Sequence, residues 1–164
     1  MDAGRKKTIL SAVAALALAA IAVFMLAQKP AAPQTTFATL GGENIALDSL
    51  RGKVVLVNFW ATSCPGCIAE MPDLAKTHKK FEARGLETIA VAMSYDQPEY
   101  VKQFSERNGL PFKVALDKDG SAAQAFGARV TPTTFVIDKQ GKVVQRIVGE
   151  ADFAKLYALI EKTL

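Results

Sequence analysis

The chain carries five apolar runs with the length and composition of β-strands. These runs are Val54–Trp60, Leu86–Met93, Phe112–Leu116, Thr133–Asp138 and Lys142–Val148. The first is continuous in its apolar content, which is typical of a central strand buried on both faces. Only three residues separate the last two, a spacing typical of a hairpin. Ahead of them, Thr36–Leu40 and Asn44–Leu47 flank Gly41-Gly42 and predict a smaller hairpin.

Helices are predicted between and after these strands. They are Gly66–Arg84, a helix capped by Asp96 that runs to Asn108, Ser121–Phe126, and a final helix on Phe153, Leu156, Tyr157 and Ile160. Pro72 should kink the first of them. From Val54 the order is therefore β-α-β-α-β-α-β-β-α. This order predicts an α/β fold with a mixed sheet, because helices between the early strands favour parallel pairing and the hairpin adds an antiparallel pair.

A long uncharged segment precedes this domain. Ile9–Ala27 contains 19 residues without a charge, whereas a membrane span takes about 17–25 residues and the apolar part of a signal peptide about 7–15. We therefore interpret residues 9–27 as an uncleaved transmembrane anchor in preference to a signal peptide, with a cut near Ala20–Ala22 as the alternative. A buried core helix fits poorly, because the segment lacks a polar face.

The basic residues indicate how the chain is oriented. Arg5, Lys6 and Lys7 lie before the anchor, so the positive-inside rule predicts that residues 1–8 are cytoplasmic and that everything after Ala27 lies outside. We infer a bacterial inner-membrane protein, single-pass, with its domain in the periplasm, or a soluble periplasmic protein if the segment is cleaved.

The net charge of +4 reflects this topology signal. The first 30 residues carry four of the 20 basic and one of the 16 acidic residues, a net of +3, which leaves +1 for the rest. A nearly neutral domain has no electrostatic footprint for nucleic acid. Residues 28–34 include two prolines and are typical of an extended linker, so we place the domain at residues 35–164.

The chemistry is expected at Cys64-Pro65-Gly66-Cys67, which contains the only two cysteines of the chain. The pair opens the first predicted helix, where unpaired N–H groups and the helix dipole stabilise a thiolate. Cys64 is the expected nucleophile, and Cys67, one turn on, resolves the mixed disulfide. Pro65 suits the first helical position, and Gly66 lets another backbone approach. Half of a zinc site is the alternative, but only His78 offers an obvious further ligand.

Several motifs together resemble one family. Phe59–Cys67 (FWATSCPGC), the following Glu70-Met71-Pro72, and Val130–Thr133 (VTPT) resemble the TlpA/ResA-like branch of thioredoxin-fold proteins. The resemblance covers about Thr35 to Leu164. It implies a thioredoxin fold with a central mixed sheet, flanking helices, an N-terminal hairpin and a strand-helix insertion between Asp96 and Phe126. Ser63 stands where many members carry a tryptophan that forms part of the partner-docking surface.

The resemblance also implies further site residues. Glu70 would exchange a proton with Cys67, the role that thioredoxins proper give to a buried aspartate at the position of Asn58. The alternative is an ordinary exposed helix glutamate. Thr131 and Pro132 would form a cis X-Pro bond that faces the cysteines, with the Thr131 backbone pairing with the substrate. Trp60 is expected in the floor of the site or simply in the core.

The predicted activity is extracytoplasmic thiol-disulfide exchange, with no metal and no cofactor besides the redox-active disulfide. The resemblance implies a protein-disulfide reductase, for example acting on apocytochrome c in cytochrome c biogenesis, supplied by a membrane electron donor of DsbD/CcdA type. A reductant in an oxidising compartment needs such a donor.

Two alternative functions stay open. A disulfide-forming oxidant would use the same cysteines in the opposite direction, and a strongly stabilised Cys64 thiolate would favour it. A copper-binding chaperone of SCO type shares the fold, but that family has a wider cysteine spacing and a distant histidine. Here the one histidine, His78, is 11 residues from Cys67.

Overall fold

The computed structural model describes Leu16, Leu18, Ala19 and residues 29–164. The predicted basic N-terminus and most of the predicted anchor at 9–27 therefore lie outside the described residues. Within the described part, no helix combines the length and the apolar character that crossing a membrane requires. The chain divides into Met1–Pro30 and Ala31–Leu164, and the second unit carries the fold.

Seven strands form two sheets within residues 29–164. A small antiparallel pair consists of β1 (Thr36–Ala38) and β2 (Asn44–Ala46). The main sheet consists of β3 (Val54–Trp60), β4 (Leu86–Ala92), β5 (Lys113–Leu116), β6 (Thr133–Ile137) and β7 (Val143–Val148). Its strand order is β5-β4-β3-β6-β7, with β3, β4 and β5 parallel and β6 antiparallel to both β3 and β7. The predicted mixed sheet is confirmed.

Four helices in the described residues connect or follow these strands. They are α1 (Pro65–Phe81), α2 (Pro98–Asn108), α3 (Ser121–Phe126) and α4 (Phe153–Thr163). Short 3₁₀ turns occur at Leu47–Leu50 and Glu82–Arg84. Helix α1 continues through Pro72 and the second of these turns ends at Gly85, whose φ of 101° is accessible to glycine at little cost. This is the thioredoxin fold.

Strand β3 separates two hydrophobic clusters. All seven of its residues are buried, and successive side chains point to opposite faces. Val54, Leu56 and Trp60 pack with α1 and α4, whereas Val55, Val57 and Phe59 pack with the small hairpin and with Phe126 of α3. By the same alternation, Asn58 belongs to the α1 face.

The predicted cap of α2 is wrong. The helix begins at Pro98 after Gln97, and no side chain caps it. The carboxylate of Asp96 instead accepts two hydrogen bonds from Thr62 in the loop before α1. The carboxylate that was predicted to cap α2 therefore accepts its hydrogen bonds from a distant loop instead of from the N–H groups of the helix.

The chain enters the fold earlier than Thr35. Ala31 forms an isolated bridge with Lys142, and the N–H of Ala32 donates to the carbonyl of Gly141 at 2.9 Å. Part of the segment predicted as a linker therefore pairs with the turn between β6 and β7.

Candidate active site

The two cysteines lie at the start of α1 and differ in exposure. Cys64 is the residue immediately before the helix and is half-buried, whereas Cys67 in the first turn has no exposed surface. They form a disulfide with their Cα atoms 5.2 Å apart. The N–H of Cys67 donates to Sγ of Cys64 at 3.2 Å. A partner can therefore reach Cys64 from solvent, and the same N–H is positioned to stabilise a Cys64 thiolate after reduction.

Pro65 and Gly66 fill the turn between the cysteines. Pro65 occupies the first helical position, as predicted, where its missing N–H costs no helical hydrogen bond. The side chain of Glu150 lies close to Gly66. A methyl group placed on Gly66 would be 2.7 Å from Oε1 of Glu150 and 3.3 Å from its Cγ. Glu150 therefore rests against the active-site dipeptide.

Glu70 lies one helical turn after Cys67 and is only 5% exposed. Its Oε1 accepts a hydrogen bond from Nδ2 of Asn58 at 2.9 Å, and its Oε2 accepts one from the N–H of Ala151 at 3.3 Å. Burial raises the pKa of the Glu70 carboxyl because it removes the charged form from water. The two hydrogen bonds oppose this increase and the negative charge of Glu150 adds to it. Glu70 is thus a buried group, not an exposed helix glutamate.

Asn58 connects three elements beneath the site. It is fully buried in β3, and its Nδ2 donates both to Glu70 on α1 and to Oγ1 of Thr134 on β6, each at 2.9 Å. The sequence marked Asn58 only as a residue that cannot titrate. One feature of the sequence could have indicated that Asn58 binds Glu70, because Asn58 is a polar residue within an otherwise apolar strand.

Thr131 and Pro132 are joined by a cis peptide bond, as the resemblance implied. Thr133, which follows, pairs with Phe59, so this segment flanks the end of β3 from which the cysteine loop departs. Pro132 is buried, and its carbonyl accepts a hydrogen bond from the N–H of Gly149 at 2.8 Å. The bond therefore lies at the end of the sheet that carries the cysteines.

Trp60 lies at the end of β3 and has no exposed surface. Its ring packs against Phe104 of α2 with the centroids 5.3 Å apart. This burial fits the core alternative, and any effect of Trp60 on a substrate is indirect.

His78 has a structural environment. It is buried, its Nε2 lies 3.1 Å from Oε2 of Glu82, and its ring packs edge-on against Phe112. Across the described residues, no three histidine, cysteine or acidic side chains are arranged to hold a metal ion.

Sequence reasoning missed three residues around the site. Asp96 fixes the loop before Cys64, Glu150 lies against Gly66, and the hydroxyl of Tyr95 lies 3.5 Å from Oγ1 of Thr131. Tyr95 and Glu150 are exposed. No local pattern distinguishes them from ordinary surface residues, because their positions depend on how the loops meet in the fold.

Comparisons with known proteins agree with this geometry. The redoxin family model matches residues 27–160. The thiol-disulfide oxidoreductase ResA of Bacillus anthracis is 39% identical over 132 residues, covering 80% of this chain and 75% of that protein. ResA of Bacillus subtilis is 36% identical over 118 residues, covering 72% and 65%.

A solved structure has the same fold. The thiol:disulfide interchange protein of the thioredoxin family from Chlorobium tepidum superposes with a TM-score of 0.75 at 30% identity, covering 84% of this chain and 97% of that one. Together with the half-exposed Cys64 and buried Cys67, these similarities identify the chain as a member of the redoxin family, in its TlpA/ResA-like branch, and as a thiol-disulfide oxidoreductase.

Proposed function

We propose that this enzyme reduces protein disulfides outside the cytoplasm of a bacterium, held at the inner membrane by the predicted helix at 9–27. The observation that carries the proposal is the pairing of a reachable Cys64 with a buried Cys67 and a buried Glu70. This arrangement suits a dithiol that attacks with one sulfur and resolves with the other.

The first step is attack by the reduced enzyme. The Cys64 thiolate attacks one sulfur of the partner disulfide, a Cys64–partner disulfide forms, and the other partner sulfur leaves as a thiolate that takes a proton. Cys64 suits this step because the N–H of Cys67 and the start of α1 favour negative charge on its sulfur.

The second step is resolution by Cys67. Its thiolate attacks Sγ of Cys64, the intramolecular disulfide forms, and the second partner sulfur leaves. Two electrons have then passed from the enzyme to the partner. Cys67 is buried and must lose its proton before it attacks, which requires a base within the protein.

Glu70 is the proposed base. It is one helical turn from Cys67, and burial raises the pKa of its carboxyl, which makes the carboxylate a stronger base than an exposed glutamate. The Asn58 amide and the Ala151 N–H hold both of its oxygens in place. The resemblance supports the same assignment.

The partner is proposed to dock beside the cis Thr131-Pro132 bond. The backbone of Thr131 would pair with an extended partner segment and hold the partner disulfide in line with Cys64. Pro65 and Gly66 would form the neighbouring wall of this site.

The electrostatics support the reducing direction. The carboxyl group of Glu150 lies against Gly66 in the turn between the cysteines, and its negative charge opposes the stabilisation that the Cys67 N–H and the start of α1 give to a Cys64 thiolate. A less stable thiolate makes the disulfide harder to reduce and the dithiol a better reductant. An oxidant would be expected to surround its cysteines with groups that stabilise the thiolate.

Partners follow from this direction. The compartment is oxidising, so the enzyme would need electrons from a membrane donor of DsbD/CcdA type. The proposed substrate is the disulfide that the thiols of apocytochrome c form when they are oxidised before haem attachment. This substrate would place the enzyme in cytochrome c biogenesis. The redox-active disulfide would be the only redox group required.

The decisive experiment is the reduction potential of the Cys64–Cys67 couple, measured by equilibrating the full chain with glutathione and dithiothreitol buffers. We expect a value near that of thioredoxin, about −270 mV. A value near about −120 mV, as in DsbA, would instead assign the enzyme to disulfide formation.

A further inference from the structure

Glu150 places a carboxylate against Gly66, in the turn that joins the two cysteines. Glu150 follows β7 in the loop before α4. Its Oε1 occupies the space next to Gly66, the residue that precedes Cys67 in the sequence. The adjoining N–H of Ala151 is tied to Glu70 by a hydrogen bond, which fixes the backbone on which Glu150 sits. The carboxylate is therefore held near the place where a partner sulfur must arrive.

The charge of Glu150 is available to a partner. The residue is exposed, and it accepts no hydrogen bond and forms no ion pair with any other described residue. Many carboxylates elsewhere on the domain contact a basic side chain. Examples are Asp48, Asp73, Glu106, Asp152 and Glu161. Glu150 therefore presents an unpaired carboxylate to whatever docks on the cysteines.

Exposed apolar side chains lie near the cis Thr131-Pro132 bond. Val130 precedes Thr131 and is 52% exposed, Val148 pairs with Thr133 and is 57% exposed, and Tyr95 beside Thr131 is 62% exposed. A partner segment that lies along Thr131 would contact these apolar groups and bring the residues next to its cysteine towards Glu150. The surface thus combines apolar contact with one unpaired acid.

We propose that Glu150 is a specificity-determining residue, which favours partner segments that carry a basic residue next to the cysteine attacked by Cys64. This inference rests on the proposed reduction of partner disulfides. A lysine or arginine on the partner would form an ion pair with Glu150 in the encounter complex, whereas an acidic residue at that position would be repelled.

The test uses two peptides that differ in one residue. Each peptide carries one cysteine as a mixed disulfide with thiopyridine, followed by lysine in one peptide and by glutamate in the other. Cys64 attacks the peptide sulfur and thiopyridone leaves, which is read by absorbance. Cys67 then attacks Cys64 and releases the peptide thiol, so the enzyme dithiol becomes the disulfide while the peptide disulfide becomes two thiols.

We expect the reduced full chain to react in a single turnover with a second-order rate constant about threefold to tenfold higher for the lysine peptide than for the glutamate peptide, the range that an exposed ion pair and an exposed repulsion produce together. Glu150→Gln should bring the ratio close to one, and Glu150→Lys should reverse it. In 1 M salt, where charges are screened within about 3 Å, the wild-type ratio should also approach one.

The matched control is Glu161→Gln, which removes an exposed glutamate from the far end of α4. It should leave the peptide ratio unchanged. An unchanged ratio in Glu150→Gln would overturn the inference even if both rates change by a common factor, because Glu150 would then act only on the reactivity of the cysteines and not on the choice of partner. A wild-type ratio of one would overturn it as well.

Failure of the proposed function has a different signature. In that case neither peptide would oxidise the enzyme, or Cys64→Ser would release thiopyridone as fast as the wild-type chain. Rapid, Cys64-dependent reaction of both peptides at equal rates would contradict the specificity of Glu150 alone.

Discussion

Both carboxylate oxygens of Asp96 accept hydrogen bonds from Thr62. Oδ2 accepts the backbone N–H of Thr62 and Oδ1 accepts its hydroxyl, each at 2.6 Å. Thr62 lies two residues before Cys64, and Asp96 lies in the loop after β4. The loop that carries the nucleophile is therefore attached to the end of β4. The segment between β4 and α2 in this way helps to position the cysteines.

Replacing Asp96 should weaken this attachment. Asp96→Asn keeps the shape of the side chain but places an N–H₂ group opposite one of the two donor groups of Thr62, so that one hydrogen bond is lost. We expect the free energy of unfolding to fall by about 1–3 kcal/mol. Thr62→Val removes only the hydroxyl bond and should cost less. Urea unfolding measures both, with Glu99→Gln on the exposed start of α2 as the control. An Asp96→Asn variant as stable as the wild type would show that the contact contributes nothing to stability.

The two cysteines should behave differently when each is replaced. Cys64→Ser removes the sulfur that solvent reaches and should abolish insulin-disulfide reduction. Cys67→Ser leaves attack intact but prevents resolution, so it should accumulate mixed disulfides with partners, visible on non-reducing gels. The reverse pattern would exchange the two roles.

Glu70→Gln should change how stability depends on pH. In the folded wild type burial raises the pKa of Glu70, so between its ordinary range and the raised value the folded protein holds a proton that the unfolded chain has released. The free energy of unfolding must therefore fall as the pH rises through that window. Glutamine cannot titrate, so this decline should become shallower in the variant.

Two measurements check the Glu70 prediction. Unfolding at a series of pH values gives the slope, with Glu161→Gln as the exposed control, and titration of the reduced enzyme gives the behaviour of Cys67. The expected result is a shifted Cys67 titration in Glu70→Gln. An unchanged slope and an unchanged thiol titration would make Glu70 a purely structural residue.

Asn58→Asp should be destabilising at neutral pH. The change places a second carboxyl group against Glu70 in a buried site and removes the donor that Glu70 and Thr134 share. We expect a loss of about 3–5 kcal/mol, since an uncompensated buried charge is costly. The loss should shrink at acidic pH, where the carboxyl groups hold protons.

Thr134→Val is the matched control for Asn58→Asp. It removes one acceptor of Asn58 and adds no charge, so its smaller effect on unfolding should not depend on pH. Equal losses for Asn58→Asp at pH 7 and at acidic pH would exclude charge repulsion as the cause.

The sequence predicted those elements whose signals are local. The bounds of β3 were predicted to the residue, because its apolar run is continuous and a glycine turn precedes it. Helix α3 and the stop at Gly109 were predicted equally well. Contacts between distant loops were not: Asp96 looked like a helix cap until Thr62, 34 residues earlier, proved to be its partner.

The site was predictable to the same extent. The cysteines and Pro132 carry motifs that a sequence displays directly, and the cis bond followed from the resemblance. The partnership of Asn58 with Glu70 depends on how α1 packs against β3, and the position of Glu150 depends on where β7 ends. Such relationships exist only once the sheet has formed.

The place where the chain enters the fold determines which end of the domain a tether would hold. Ala31 and Ala32 pair with the β6–β7 turn, beyond Ile137, which lies opposite Val55 near the start of β3. The disulfide lies past the other end of that strand, seven residues or about 20 Å away. A tether ahead of Ala31 would therefore join the domain at the end of β3 opposite the disulfide, so that the reactive cysteines lie about one strand length from the point of attachment.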